Sequence, residues 1–578
     1  MVMTYLSYVK QLILLELHTL SAEALIGPTR QCIRSLFYQY EGVNNPIISE
    51  YISSIPESLS DAVNRVREQL TVTNSGNILS NRRKLAKHIA AFHEQAGTDF
   101  PVVVKNRMNI DDPYAQILVS IHQPNLFAYG GVYKKIVLLQ TMKSMLEKGN
   151  DATNTDTKFI NLFLIVDHDF MDDVWIRVAQ LPSVRHSDGT LELRMPITPS
   201  NRWKLVRNMD VPSAMILDHW REQVDSWIKN GSLSLGLEKN ERLALFENLE
   251  QFWNEVNESY KRARSYADLN SFIMSRVVNK LWGYDTLFVR LSDISEVFDG
   301  GFSFLLRNFR KYSGVLSESD RMFLRNGINT GVSQSTYLNA PVWLHCNCGS
   351  KASVKLNEVE SDIFDLSGTC MSCKRPLTIR LGGSHTIPSS ILNELSPRAI
   401  PILLLLSRDL GICCYASGTG GSMDYTMVGR LVFNELSIRM PVTVIWASED
   451  VYSGMGQREA LQSLRFKNSV QVIKYAEQLR NALSSFNAKV APLLTKRANL
   501  AKDGQDIQDL LNKLAILKQE QRKARQLLKI SEKVIQASTL KPCIIDYAVN
   551  FGLKNTESIW GNTLIQNDDL ITPVTGFS

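Results

Sequence analysis

The sequence predicts an α/β protein: one doubly wound parallel sheet, split in the chain by a helical and cysteine-rich insert, with an antiparallel helical hairpin near the C-terminus. Three observations carry this. An apolar run, a glycine loop, an amphipathic helix and a second apolar run follow one another between Ile117 and Val166. The same order returns between Ser396 and Trp446. From Ile473 to Val534, apolar residues then recur every three or four positions with charges between them.

The bulk numbers bound the answer. A chain of 578 residues predicts three to four domains. Its 44% hydrophobic and 21% charged residues are an ordinary globular mixture. Lys and Arg number 64 against 58 Asp and Glu, a net +6. The basic residues are interspersed with acids rather than gathered on a face, so nucleic acid is not an expected partner. The segment Met1 to Leu20 is apolar, but it lacks a basic start and is interrupted by Glu16 and His18, so it reads as a buried helix. Ile400 to Ala416 carries Arg408 and Asp409 and is too short to span a bilayer. A soluble cytoplasmic protein with no membrane contact is expected.

Residues 1–100 read as helical, with breaks at Pro28, Pro46 and Pro56. Residues 101–205 hold the first half of the sheet. Ile117 to Ile121 is a strand ending at His122-Gln123-Pro124-Asn125, and Gly130-Gly131 form the loop after it. Val132, Ile136, Leu139, Met142 and Leu146 share a helix face, with Gly149 as the expected cap. Asn161 to Val166 is the next strand, ending at Asp167-His168-Asp169. Strand, loop, helix, strand is a βαβ unit and implies parallel pairing. Residues 206–335 form a helical connecting region and 336–390 a cysteine-rich segment. In 391–470, Ser396-Pro397 predicts a helix start, Gly411 to Ala416 a strand, Ser417 to Gly421 a glycine loop and Val442 to Trp446 another strand. Residues 471–540 are the hairpin, turning at Lys502-Asp503-Gly504, and 541–578 a turn-rich tail.

Of the eight cysteines, Cys346, Cys348, Cys370 and Cys373 fall in two close pairs about twenty residues apart. Each pair forms a knuckle, and hairpin strands between them bring four thiolates to one tetrahedral ion. This is zinc-ribbon spacing and belongs to a reducing compartment. Cys-x-Cys is a less usual knuckle than Cys-x-x-Cys, so His345 is an alternative ligand. Four protein ligands leave no open position, so the zinc would be structural. Cys413 and Cys414 lie inside an apolar strand and read as small buried hydrophobes.

In open α/β sheets, ligands bind at the carboxyl ends of the strands. His122, Gln123 and Asn125 stand at one such end, and Asp167, His168 and Asp169 at the next. Two carboxylates flanking an imidazole suit a substrate ammonium and a general base. Gly130-Gly131 present backbone N–H groups to an anion. The competing reading is that an Asp after a strand caps a neighbouring helix.

The order of these motifs resembles the BshC family, the cysteine-adding ligases of bacillithiol biosynthesis. In that family the first strand end reads roughly TGQQ, followed by a glycine loop and a tyrosine. Here the matching stretch is Ile121-His122-Gln123-Pro124 to Gly130-Gly131-Val132-Tyr133. The family's aspartate-histidine-aspartate is matched by Asp167-His168-Asp169. Its later Ser-Pro, glycine pair and tyrosine are matched by Ser396-Pro397, Gly420-Gly421 and Tyr425. His122 and Pro124 stand where the family has glycine and glutamine, and Ser422-Met423-Asp424 where it has proline-glycine-glutamate. The zinc ribbon is not part of the family's core.

The resemblance implies a Rossmann-like core, a homodimer through the coiled coil, and a reaction joining cysteine to the amino sugar of glucosaminyl-malate. If the chain is such a ligase, Asp167 and Asp169 are expected to hold an ammonium group, with His168 or His122 as the base. Gln123, Asn125, Gly130, Gly131, Tyr133, Gly418, Gly420, Gly421, Asp424 and Tyr425 would contact substrate. The resemblance leaves the acceptor and the nucleotide requirement open. Two other readings stand beside it. One is a non-catalytic binding protein using the ribbon, with Lys351, Lys355, Lys374 and Arg375 on one face, and the coiled coil. The other is a sugar-modifying enzyme, because His122 to Phe127 is similar to the HQPN opening of WbqC-like proteins.

Overall fold

The computed structural model describes residues 46–571 and 574–577, apart from 74, 154–156, 327, 329, 333, 361–362, 383–386, 419–422, 448 and 504. The helix expected over 1–20 therefore lies outside the described residues, as does Cys32.

Along the chain, β1 (Ala115–His122) and β2 (Lys158–Ile165) flank the helix Gly130–Thr153. The pair β3 (Val178–Pro182) and β4 (Thr190–Arg194) leads to helices Ala214–Ser234, Lys239–Arg262 and Tyr266–Ser275. Then come β5 (Leu287–Arg290), β6 (Val342–His345), β7 (Lys351–Glu360), β8 (Ile363–Thr369), β9 (Pro376–Gly382) and β10 (Leu395–Pro397). They are followed by β11 (Ile412–Ser417), β12 (Val442–Ile445), β13 (Glu449–Tyr452), the helix Met455–Ser463, two long helices, two shorter ones, and β14 (Val574–Phe577).

The central sheet has five strands, ordered β12-β11-β1-β2-β5, and every pair in it is parallel. Successive strand residues point to opposite faces, and here both faces are buried. Ile117, Val119, Leu162, Leu164, Leu287 and Val289 enter one core. Leu118, Phe159, Phe163 and Phe288 enter the other. Burial on both sides is why these strands read as unbroken apolar runs. From β1 the chain adds β2 and β5 on one side, then returns to add β11 and β12 on the other. The reversal falls between β1 and β11.

Several expectations are corrected. Gly130 and Gly131 are the first residues of the helix rather than a loop, and the helix runs past Gly149 to Thr153. The region expected to be a purely helical insert contributes β5, the edge strand beside β2. Ser396-Pro397 does not start a helix: it lies in β10, paired antiparallel with β6, and the helix begins at Ala399. Pro is tolerated there because β10 is an edge strand. The tail is helices Ile544–Phe551 and Leu553–Asn567 followed by β14, which pairs in parallel with β13.

The hairpin helices are Ser469–Lys502 and Gln508–Thr539. Their antiparallel register is set by Gln521 donating to Asn487 at 2.6 Å and by Arg480 with Glu532 at 3.1 Å. Val490, Leu510 and Leu514 pack at its tip with Leu493 and Leu517. Val472, Val534 and Ala537 pack at its base. Leu494, Leu527 and Ile530, expected in this seam, are exposed, as are Leu511 and Ile516. Among the described residues, no helix is long and apolar enough to cross a membrane.

Candidate active site and four-cysteine centre

Parallel pairing puts the carboxyl ends of all five strands at one edge. Register aligns His122 with Ile165 of β2, and Ser120 with Ala416 of β11, where the β1–β11 pairing ends two residues before Gly418. Gly420 and Gly421 lie outside the described residues. Asp424 and Tyr425 belong to the helical turn Met423–Val428, and their side chains lie outside the described set.

Gln123 and Asp169 meet: Gln123 Nε2 donates to Asp169 Oδ2 at 2.7 Å. Asp169 Oδ1 stands 3.6 Å from Lys351 Nζ. Asp167, fully buried, is turned the other way. Its carboxylate accepts the Ser292 N–H at 3.1 Å and the Ser292 hydroxyl, which ties down the turn after β5. Burial raises its pKa, and the Ser292 bond opposes this. Asp167 is thus committed to capping rather than to an ammonium.

His168 is buried, with Nδ1 lacking a partner. Burial holds its pKa well below the usual imidazole value, and Lys351 and Arg207 push the same way. The His122 ring is similarly held at about 3 by burial and by Lys135. Its Nδ1 lies 3.0 Å from the Gln123 carbonyl, which places the proton on Nδ1 and leaves a lone pair on Nε2. Both imidazoles are therefore neutral near pH 7.

The remaining expected contacts divide. Asn125 is buried with Oδ1 unpartnered. Tyr133 is a core residue, edge-on to Trp282 at 5.7 Å between centroids. The Gly130 N–H already donates to the Pro542 carbonyl at 3.1 Å. A Cβ at Gly130 would lie 2.6 Å from the Tyr547 ring, so this glycine serves packing rather than anion binding. A Cβ at Gly131 would lie 2.8 Å from the Tyr129 ring.

The four thiols converge. The Sγ atoms of Cys346, Cys348, Cys370 and Cys373 all lie within 4.8 Å of one another. Two of the separations are 3.6 Å (Cys346 to Cys373) and 3.5 Å (Cys348 to Cys370). Disulfides need about 2.05 Å, whereas a tetrahedral ion with S at about 2.3 Å sets its sulfurs about 3.8 Å apart. Backbone N–H groups of Cys348, Ser350, Ser372 and Cys373 point at the sulfurs. Each cysteine turn contains a left-handed residue, Gly349 (φ 86°) or Lys374 (φ 59°). The donor set fits a tetrahedral thiolate-bound metal. His345 is not a fifth candidate: its Nδ1 faces Arg207 at 2.6 Å and its Nε2 faces Ser396 at 2.9 Å.

No protein-family model matches this chain, and no curated protein matches it.

Sequence reasoning missed two residues at this edge and misplaced a third: Lys351, expected on a binding face of the ribbon with Lys355, Lys374 and Arg375, is buried. Lys351 enters from β7, between the cysteine pairs, and Arg207 from the turn after the β3–β4 hairpin. Both are brought in by long-range folding. Lys135 left a signal: it falls on the apolar stripe of its helix between Val132 and Leu139, where a lysine is out of place. Its Nζ donates to the Ile121 carbonyl at 2.8 Å.

Proposed function

We propose that the chain is an amide-forming ligase of the BshC kind, joining cysteine or another amino acid to an amino-sugar acceptor such as glucosaminyl-malate. The observation that carries this reading is the 2.7 Å bond between Gln123 and Asp169. These residues come from the two separate segments through which the chain resembles that family, and they meet at the carboxyl edge where parallel sheets bind ligands. The third segment, from Gly418, follows β11, the strand that pairs with β1. On this reading the sheet is a Rossmann-like core, and Asp169 holds the amino-acid ammonium. The acceptor amine attacks the carboxyl carbon, and neutral His168 or His122 takes its proton. One amide bond forms and water is lost, or a phosphate-containing group leaves instead if a nucleoside triphosphate activates the carboxyl.

The four cysteines then hold a structural zinc ion in a zinc ribbon, with no open position for substrate, and the protein works in a reducing cytoplasm. The exposed apolar residues of the hairpin, Leu511, Ile516, Leu527 and Ile530, form the homodimer contact. Comparing low-molecular-weight thiols in cells with and without the protein tests the function. Loss of a cysteine-bearing amino-sugar thiol is expected, and identical thiol pools would overturn the reading.

A further inference from the structure

Four lysines are buried among the described residues: Lys134, Lys135, Lys143 and Lys351. Three stand beside carboxylates. Lys134 is 2.8 Å from Asp450, Lys143 is 2.5 Å from Asp285, and Lys351 is 3.6 Å from Asp169. Lys135 has none, and its one hydrogen bond goes to the Ile121 carbonyl. A buried ammonium without a counter-charge is costly. Folds keep such a group where something else completes it.

Its position says what that is. Along a strand, successive carbonyls point to alternate sides. The His122 carbonyl accepts the Val166 N–H at 2.8 Å, on the β2 side. The Ile121 carbonyl therefore points to the β11 side. Paired residues of β1 and β11 end at Ser120 and Ala416, one residue earlier. The Lys135 ammonium thus stands in the gap between β1 and β11, where the strand order reverses. That gap is where doubly wound sheets take their ligands. Among the described residues, the Lys135 ammonium acts on the neutral His122 ring, which lies edge-on to Tyr129 at 6.0 Å, and has no carboxylate partner. Asp169, the described carboxylate that acts on His122, is already engaged by Gln123 and Lys351.

We infer that Lys135 binds an anionic group of the substrate, a carboxylate or a phosphate, in the crevice between β1 and β11. The anion supplies the counter-charge that the other three buried lysines find within the protein. Burial also holds the Lys135 pKa at about 7, so the site gains affinity as pH falls toward 6. This inference rests on the edge being a substrate site, but anion binding needs neither cysteine nor amide formation and is tested separately from them.

Calorimetric titration of the full chain with inorganic phosphate and with succinate distinguishes the two anions. One of them is expected to bind. Lys135→Met should weaken that binding about tenfold or more, as for loss of a charge-assisted hydrogen bond, and Lys135→Arg should weaken it less. On the wild-type protein, the anion that binds should protect Lys135 from reductive methylation read by peptide mass spectrometry. If Lys135→Met does not fold, this labelling decides alone. Neither anion binding the wild type, a Lys135→Met variant that binds as the wild type does, or equal Lys135 labelling with and without both anions would overturn the inference.

Discussion

The Lys351 ammonium donates to the His168 carbonyl at 2.7 Å, so the strand that follows the first cysteine turn holds the end of β2 in place. Lys351 also packs over the Phe170 and Trp343 rings at 4.8 and 4.4 Å. Its own carbonyl accepts the Met371 N–H from the second cysteine turn, and the Gly349 carbonyl of the first turn accepts the Leu205 N–H at 2.9 Å. The cysteine centre and the candidate active edge are thereby one hydrogen-bonded unit.

Metal content should follow from this. Elemental analysis is expected to find about one zinc per chain. Cys370→Ser should release it and lower the unfolding temperature by about 3 °C or more, because Lys351 loses its anchored backbone. Metal-free protein with an unchanged unfolding profile would contradict the zinc assignment.

Gly130→Ala separates packing from anion binding at the start of the helix. The added methyl would meet the Tyr547 ring at 2.6 Å, with Trp560 close behind at 3.2 Å. Destabilisation of about 1–3 kcal/mol is expected in denaturant titrations. Unchanged stability together with weakened anion binding would restore the glycine-loop reading.

What could be read in advance depended on how local each feature is. β1, β2, β11 and β12 announced themselves because burial on both faces demands apolar runs. β5 did not, because Leu287–Arg290 is four residues long and gains its meaning only beside β2. Ser396-Pro397 matches a helix start locally, yet pairing with β6 overrides it. Asp167 looked like a ligand because its capping partner, Ser292, lies 125 residues away. The hairpin was legible, but its seam was misplaced in the second helix. The seam runs through Leu517, Gln521, Ala524, Leu528 and Ser531, where polar and small residues hide it beside the more conspicuous Leu527 and Ile530. The gathering of the four cysteines was legible, since each turn's geometry and spacing are local, whereas His345 is set aside only by its distant partners Arg207 and Ser396.

That misplacement gives the hairpin prediction. Leu527→Glu with Ile530→Glu lies off the seam between the two helices and on exposed surface. Light scattering should show a dimer for the wild type and a monomer for this variant, with an unfolding temperature unchanged to within about 2 °C. A monomeric wild-type chain would refute the homodimer.

Lys135 makes stability depend on pH. Its pKa is about 7 in the folded chain against 10.5 unfolded, so between these values the unfolded chain binds more protons. Stability should therefore rise as pH increases from about 7 toward 10 and be lowest below 7, where the ammonium is charged in both states. Lys135→Met should be more stable than wild type at pH 6.5, and the difference should shrink by pH 9.5. Denaturant titrations at the two pH values check this, and a difference that stays constant would contradict it.

The central claim is amide formation at the edge shared by Gln123, His168 and Asp169. Purified protein is incubated with cysteine and glucosaminyl-malate, with and without a nucleoside triphosphate, and the mixture is read by mass spectrometry. A product equal in mass to the two substrates less water is expected in at least one of the two conditions. His168→Ala should lower the rate about a hundredfold or more. No product in either condition would contradict the claim.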